Sequence, residues 1–293
     1  MNINSSKIHG MTLAAIGVFV VSFDALLVRL ADIDPMVISF YRGLFMGISM
    51  LLVWRVSSTK TWRPKSTKEL MMFIIIISLT GLSSTLFVFS VSHTTAANTV
   101  VLLATSSFFA AIFTYLIIKE RIQKSTAIAI IISFIGVLII FGNSLSLSGN
   151  LKGDVLGLIM AITMGLELTL LRKYHHFPHI LIISLGGFLV GFVIFFLSSV
   201  SFEVSLETLF WLMLMGLVQM PLAMYLIFIS TKYITSTEVS LFTTIETTLA
   251  PLWLWIFLYE VPPKMTLIGG SLVLMAIFIN ALPKIFYKKS FNS

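Results

Sequence analysis

Charge is what this chain has least of. Only 11% of its 293 residues are charged, against about 25% in a soluble domain. That is too little to cover a water-facing surface, which excludes a soluble enzyme, a nucleic-acid module and a disordered tail protein. Cysteine is absent, so there is no disulfide framework, thiolate metal site or cysteine nucleophile. No HExxH pair, P-loop, GxSxG elbow or dinucleotide fingerprint occurs either.

What is present is apolar. Hydrophobic residues make up 58% of the chain, and its mean hydropathy is +1.04. This is the composition of a polytopic membrane protein. Ten apolar segments have helical length: 11–31, 35–54, 70–91, 96–118, 125–142, 153–172, 180–199, 208–230, 237–258 and 266–286. Runs such as Phe73–Ile77 and Ile128–Ile132 lack the alternation of a barrel strand. The first segment has no small-residue cleavage site and reads as a retained helix. Trp54 and Tyr287 near inner ends, and Trp253, Trp255 and Tyr259 near an outer end, suit interfacial anchors.

The basic residues set an orientation. With the N-terminus inside, the cytoplasmic segments hold Lys7; Arg55, Lys60, Arg63, Lys65 and Lys68; Lys119, Arg121 and Lys124; Arg172 and Lys173; Lys232; and Lys284, Lys288 and Lys289. The opposite side holds only Lys152 and Lys264. This positive-inside bias places both termini in the cytoplasm.

An internal repeat follows. A shift of 143 pairs Gly10 with Gly153, Asp24 with Glu167, Arg29 with Arg172, Pro35 with Pro178 and Gly43 with Gly186. A shift of 140 pairs Ser90 with Ser230, Thr95 with Thr235, Ala110 with Ala250 and Glu120 with Glu260. The expected units are 1–147 and 148–293. Each has five spans, so the second enters the membrane from the opposite side. The expected fold is an all-α membrane protein of ten transmembrane helices in two inverted five-helix repeats, an architecture of many secondary transporters.

Two segments carry a family resemblance. One runs from Thr94-Thr95-Ala96-Ala97-Asn98-Thr99 to Ile118-Lys119-Glu120-Arg121. The other runs from Thr235-Ser236-Thr237-Glu238 through Ala250-Pro251 to Tyr259-Glu260. Each opens on small polar residues and closes on a glutamate, and the second carries a mid-span proline. In these features the chain resembles the drug/metabolite transporter superfamily, with two EamA-type repeats. The first half departs from the pattern by placing Ala111 where the proline belongs. The resemblance implies transport, with relatives that export amino acids or other metabolites across the bacterial inner membrane.

Five charges fall within the spans: Asp24, Arg29, Arg42, Glu167 and Glu246. Each would cost about 2.5–3.5 kcal/mol at mid-bilayer if unpaired. Asp24 and Arg42 sit at similar depth on helices joined by a short outer loop, so an ion pair is expected. Arg42, with Tyr41 beside it, suits a substrate carboxylate; the alternative is that the pair merely ties two helices together. Glu246 lies in the hydroxyl-rich run Thr243–Thr248 with Thr244, and suits a proton carrier, as Asp24 does, or a substrate ammonium. Glu167 is a binding candidate that alternatively pairs with Arg172. Asn98, Ser106 and Gln219 offer neutral hydrogen bonds. Pro251, Glu120 and Glu260 suit gating or structural roles, Glu260 near Lys264, and Arg29 suits an interfacial position.

His175, His176 and His179 resemble metal spacing but read as a solvated loop. The basic loop Arg55–Lys68 reads as topology and anionic-lipid contact. Gly43-xxx-Gly47 and Gly187-xxx-Gly191 imply close helix packing, within one chain or between two.

The favoured reading is a secondary transporter of a small polar metabolite. Three intramembrane acids against two cations favour an amino acid or amine over a phosphorylated sugar or nucleotide. The alternatives are uptake or exchange of a nucleoside or nucleotide derivative, a membrane-embedded lipid-modifying enzyme, and a channel. No cofactor, metal or nucleic-acid partner is expected. The expected partners are a small-molecule substrate and the bilayer, for a monomer or homodimer in the bacterial inner membrane.

Overall fold

The protein is described by a computed structural model over residues 3–56, 62–119, 124–146, 151–234 and 236–286. Glu120, Lys60, Arg121, Tyr287, Lys288 and Lys289 lie outside the described residues, and so does the side chain of Thr244. Among the described residues there is no strand. A helix satisfies its backbone amides locally, which is what long apolar runs require in lipid.

In chain order the helices are α1 (Ile3–Val21), α2 (Asp24–Ala31), α3 (Pro35–Val56), α4 (Thr67–His93), α5 (Ala96–Ala104) and α6 (Ser106–Phe113). A π-helical stretch, Thr114–Ile118, ends α6. Then come α7 (Lys124–Ser146), α8 (Leu151–Lys173), α9 (His179–Leu197) and α10 (Leu206–Met213). A second π-helical stretch, Leu214–Gln219, leads into α11 (Met220–Ser230), followed by α12 (Ser236–Leu258) and α13 (Lys264–Phe286). Among the described residues seven helical stretches are long and apolar enough to cross a membrane: Ser6–Ala31, Pro35–Val56, Thr67–His93, Ala96–Ile118, Leu151–Lys173, His179–Leu197 and Leu206–Ser230. Ala127–Gly142, Ile245–Leu258 and Lys264–Ala276 are shorter apolar helices within the described residues.

Three stretches expected to be continuous are interrupted, and at each a side chain bonds the local backbone. Between α1 and α2 the Ser22 hydroxyl donates to the Phe19 carbonyl at 2.7 Å and accepts from Trp253 Nε1 at 3.0 Å. The Trp253 indole also stacks on Phe23, 4.6 Å between centroids. Trp253 thus clamps a helix break; the expected interfacial role does not describe it. Between α5 and α6 the Thr105 hydroxyl donates to the Leu102 carbonyl at 2.6 Å, and Ser107 donates to Ala104 at 3.1 Å. Hydroxyls that capture carbonyls three residues back compete with the helical ladder. The first half thus breaks its helix at Thr105 without a proline there. In the Leu214–Gln219 stretch, Ser49 of α3 donates to the Leu217 carbonyl at 2.7 Å, satisfying part of the irregular backbone.

The main core gathers α1, α2, α4, α8, α11 and α12, and a smaller cluster joins α5 and α6 to α7 and α13. Pairwise packing joins α3 to α9, α7 to α13, α4 to α8 and α1 to α11. The outward faces stay apolar, as at Ile131, Phe134 and Leu138 on α7 and Phe192, Phe195 and Phe196 on α9. Such a belt suits lipid and would be an aggregation liability in water.

The glycine motifs are used within one chain. A Cβ on Gly187 would stand 2.4 Å from the Gly43 carbonyl oxygen and 2.9 Å from the Gly47 amide. The α3 and α9 backbones approach that closely because neither carries a side chain there. Gly187→Leu should force the pair apart and cost about 1–3 kcal/mol. Thermal unfolding of the detergent-solubilised protein would register this as a lower Tm, and an unchanged Tm would show that the helices have room to spare.

Candidate functional site

A cavity lies where α2, α3, α4, α8, α11 and α12 meet. Its volume is about 40 Å³, and its wall includes Asp24, Arg42 and Glu246. All three charged residues are at most 2% exposed. Asp24 is the first residue of α2, where the interruption leaves backbone amides free to favour a negative charge. Arg42 reaches it from α3, with Nη2 2.9 Å from Asp24 Oδ2. The guanidinium lies 5.7 Å from the Phe87 ring centroid, a cation–π contact, and 3.9 Å from the Met215 sulfur.

The pair is incompletely satisfied. Asp24 Oδ1, Arg42 Nε and Glu246 Oε1 are buried without a hydrogen-bond partner. Each such atom costs about 1–3 kcal/mol. All three sit on the charged residues that, among the described residues, line one cavity. The rest of the wall includes Ser83, Ser84, Phe87 and four methionines, Met160, Met164, Met220 and Met224. Methionine is flexible and polarisable and adapts to varied shapes. Neither the methionines nor Ser83 stood out in the sequence. The spacing of Met220 and Met224 on one helix face is a signal shared with ordinary core residues.

The other candidates are distributed differently. Glu167 does not pair with Arg172; it accepts hydrogen bonds from Thr80 at 2.6 Å and Ser83 at 3.2 Å. Ser83 also lines the cavity, so Glu167 stands one hydroxyl behind it. Tyr41 points elsewhere and donates to the Phe202 carbonyl at 2.7 Å. Gln219 donates to the Val20 carbonyl at 3.1 Å, just before the first break, and its Oε1 has no partner. Ser106 is buried, also with an unpartnered hydroxyl, away from the cavity wall. Pro251 lies inside α12 and lines a separate shallow pocket with Trp255.

Asn98 belongs to a second polar cluster. Its Nδ2 donates to Asp154 at 3.0 Å, Thr94 donates to the same carboxylate oxygen at 2.7 Å, and Thr266 donates to Asn98 Oδ1. Arg29 donates to the Thr94 carbonyl at 2.9 Å and pairs with Glu260 at 3.4 Å. Glu260 therefore answers to Arg29, where the sequence suggested Lys264. Asp154 is fully buried and was missed, because it follows Lys152 at the start of a span and reads as a helix-end charge. Arg29, with its side chain 31% exposed, leaves the buried set. Among the described residues the buried charges are thus four carboxylates, Asp24, Asp154, Glu167 and Glu246, against Arg42.

The buried pair makes a stability prediction. Removing one partner strands the other, at about 3–5 kcal/mol, while removing both relieves much of that cost. Arg42→Met and Asp24→Leu should each lower the Tm of the purified protein more than the double variant does. Additive losses would show that the two side chains do not depend on one another.

Comparison with known proteins agrees with this architecture. The profile of the EamA-like transporter family matches residues 3–142 and again 151–282. An uncharacterized transporter of Archaeoglobus fulgidus is 23% identical over 286 residues, covering 94% of this chain and 97% of its own. The uncharacterized transporter YetK of Bacillus subtilis is 25% identical, over 82% of this chain and 77% of its own. An uncharacterized transporter of Clostridium kluyveri is 27% identical over 167 residues, and this chain spans 51% of its length. A solved structure shares the fold with a TM-score of 0.69 at 13% identity, over 95% of this chain and 98% of its own. With two matches that together span most of its length, this multi-pass membrane protein belongs to the EamA-like transporter family.

Proposed function

We propose that this protein is a secondary transporter that moves a small polar metabolite, an amino acid or another amine, by alternating access. The observation that carries this reading is the set of three unpartnered atoms on Asp24, Arg42 and Glu246 around one cavity. An amino acid zwitterion supplies the complement: its carboxylate meets the Arg42 fork, and its ammonium meets Glu246 and Asp24. The excess of buried carboxylates over guanidinium argues against an organophosphate. Export across the bacterial inner membrane is the direction we favour, with Glu246 and Asp24 as proton carriers.

The proposed framework is ten spans in two inverted repeats, 1–147 and 148–293. Several paired features support it. Lys119 and Tyr259, 140 residues apart, both end a helix with positive φ, 67° and 55°, and their amides donate to Tyr115 and Trp255 at 3.1 Å. Gly10 packs on Tyr233 and Ile234, while its repeat mate Gly153 packs on His93 and Thr94. The contact of α4 with α8 is mirrored by that of α11 with α1. Such a framework lets one half rock against the other around a central site. A cavity of about 40 Å³ is far below the roughly 300 Å³ of a typical ligand site, so loading requires that motion.

Three measurements test this. Screening amino acids, amines, nucleosides and organophosphates by thermal shift, then by counterflow in proteoliposomes, should find saturable exchange of an amino acid or amine; organophosphate exchange alone would sink the proposal. Arg42→Gln should weaken transport of carboxylate-bearing substrates about ten- to a hundredfold, and Glu246→Gln should remove the dependence of uptake on a proton gradient. A Glu246→Gln protein with an unaltered pH profile would remove Glu246 as the carrier. The cysteine-free background also permits labelling of single introduced cysteines: Lys152→Cys should react with an impermeant reagent from outside, and Lys65→Cys only after permeabilisation.

A further inference from the structure

A second pocket is larger than the central cavity. A pocket of about 590 Å³ opens at the end of the bundle that carries the basic loops. We propose that it binds a phosphate-bearing anion, first of all the headgroup of an acidic phospholipid. This site is separate from the transport cavity. Tyr225 and Ile229 of α11 line the pocket, whereas Met220, Met224 and Ile227 of the same helix line the central cavity.

Three features support the proposal. The first is charge. Arg63, Lys65 and Lys232 line the pocket, and among the described residues no carboxylate does. Glu69, which bonds the pocket residues His176 and Lys65, is already engaged, by His176 Nε2 at 2.6 Å and by the Lys65 amide at 2.5 Å. The second is a buried polar group without a partner. His179 lines the pocket, is only 4% exposed, and neither of its ring nitrogens has a hydrogen-bond partner. The expectation of a solvated histidine loop therefore fails at His179 while it holds for exposed His175 and His176. His179 is also the first residue of α9, so free backbone amides and the helix dipole add to the attraction for an anion. The third is amphipathy. Trp54, Trp62 and Tyr225 share the wall with these cations. Aromatic residues beside lysine and arginine are what a lipid headgroup meets at a membrane interface.

Native mass spectrometry of the intact chain, titrated with phosphatidylglycerol or phosphatidylcholine, tests this. The wild type should retain phosphatidylglycerol preferentially and saturably. Arg63→Ala and Lys232→Ala should each weaken that binding about fivefold, and His179→Gln should weaken it as well. Lys68→Ala and Lys173→Ala, exposed at the same end outside the pocket wall, should leave it unchanged. Competition by soluble glycerol phosphate would identify a free organophosphate as the natural occupant, and failure to compete would identify the lipid; either supports a phosphate site. Equal retention of both lipids with no binding of glycerol phosphate would overturn it. So would equal losses in the Lys68 and Lys173 variants, which would mean diffuse charge attraction.

Discussion

Arg42 cannot leave the interior of this bundle, and it cannot be neutralised by losing its proton. In a low-dielectric core a guanidinium needs an opposite charge within a few ångströms, and Asp24 supplies it. Much of the irregular geometry follows from that need. Asp24 is available because the helix breaks at Ser22 and Phe23 and restarts at Asp24. The break is held by Trp253 from α12 and flanked by the bond from Gln219 to the Val20 carbonyl. Residues of both halves of the chain thus converge on one ion pair.

The buried carboxylates fall into two kinds. Asp154 and Glu167 are surrounded by hydroxyl and amide donors, so they hold helices together and ask for nothing further. Asp24 and Glu246 each keep an oxygen without a donor. A folded protein tolerates such atoms where a ligand or proton will use them. The methionines around them supply dispersion contacts without a rigid shape, which suits a site that must admit, enclose and release its ligand.

Polar contacts also close the bundle on either side of the cavity. At one end Arg29, Asp154, Asn98 and Thr266, from four helices, join Thr94 and Glu260 of the connecting segments. At the other, Lys7 of α1 pairs with Glu238 of α12. The Arg29–Glu260 and Lys7–Glu238 pairs are partly exposed and each worth little singly, whereas the bonds onto Asp154 are buried. In the proposed cycle one set must open while the other holds, and weak contacts allow that more readily than a packed apolar seam.

The linear chain alone determined the solvent, the helical class and the candidate charges. Apolar length and basic asymmetry are properties of consecutive residues, and a charge within an apolar run is visible as such. Asp24, Arg42 and Glu246 were legible for that reason. Tertiary structure decided which polar groups are satisfied. Ser22 meets Trp253 across 231 positions, and Asp154 meets Asn98 across 56. No local pattern reports such partners. The breaks at Ser22 and Thr105, the retreat of Arg29, the burial of Asp154 and the unpartnered ring of His179 all depend on atoms brought together only by packing. Composition made this a membrane protein, and three-dimensional proximity brought three of its charges to one cavity wall.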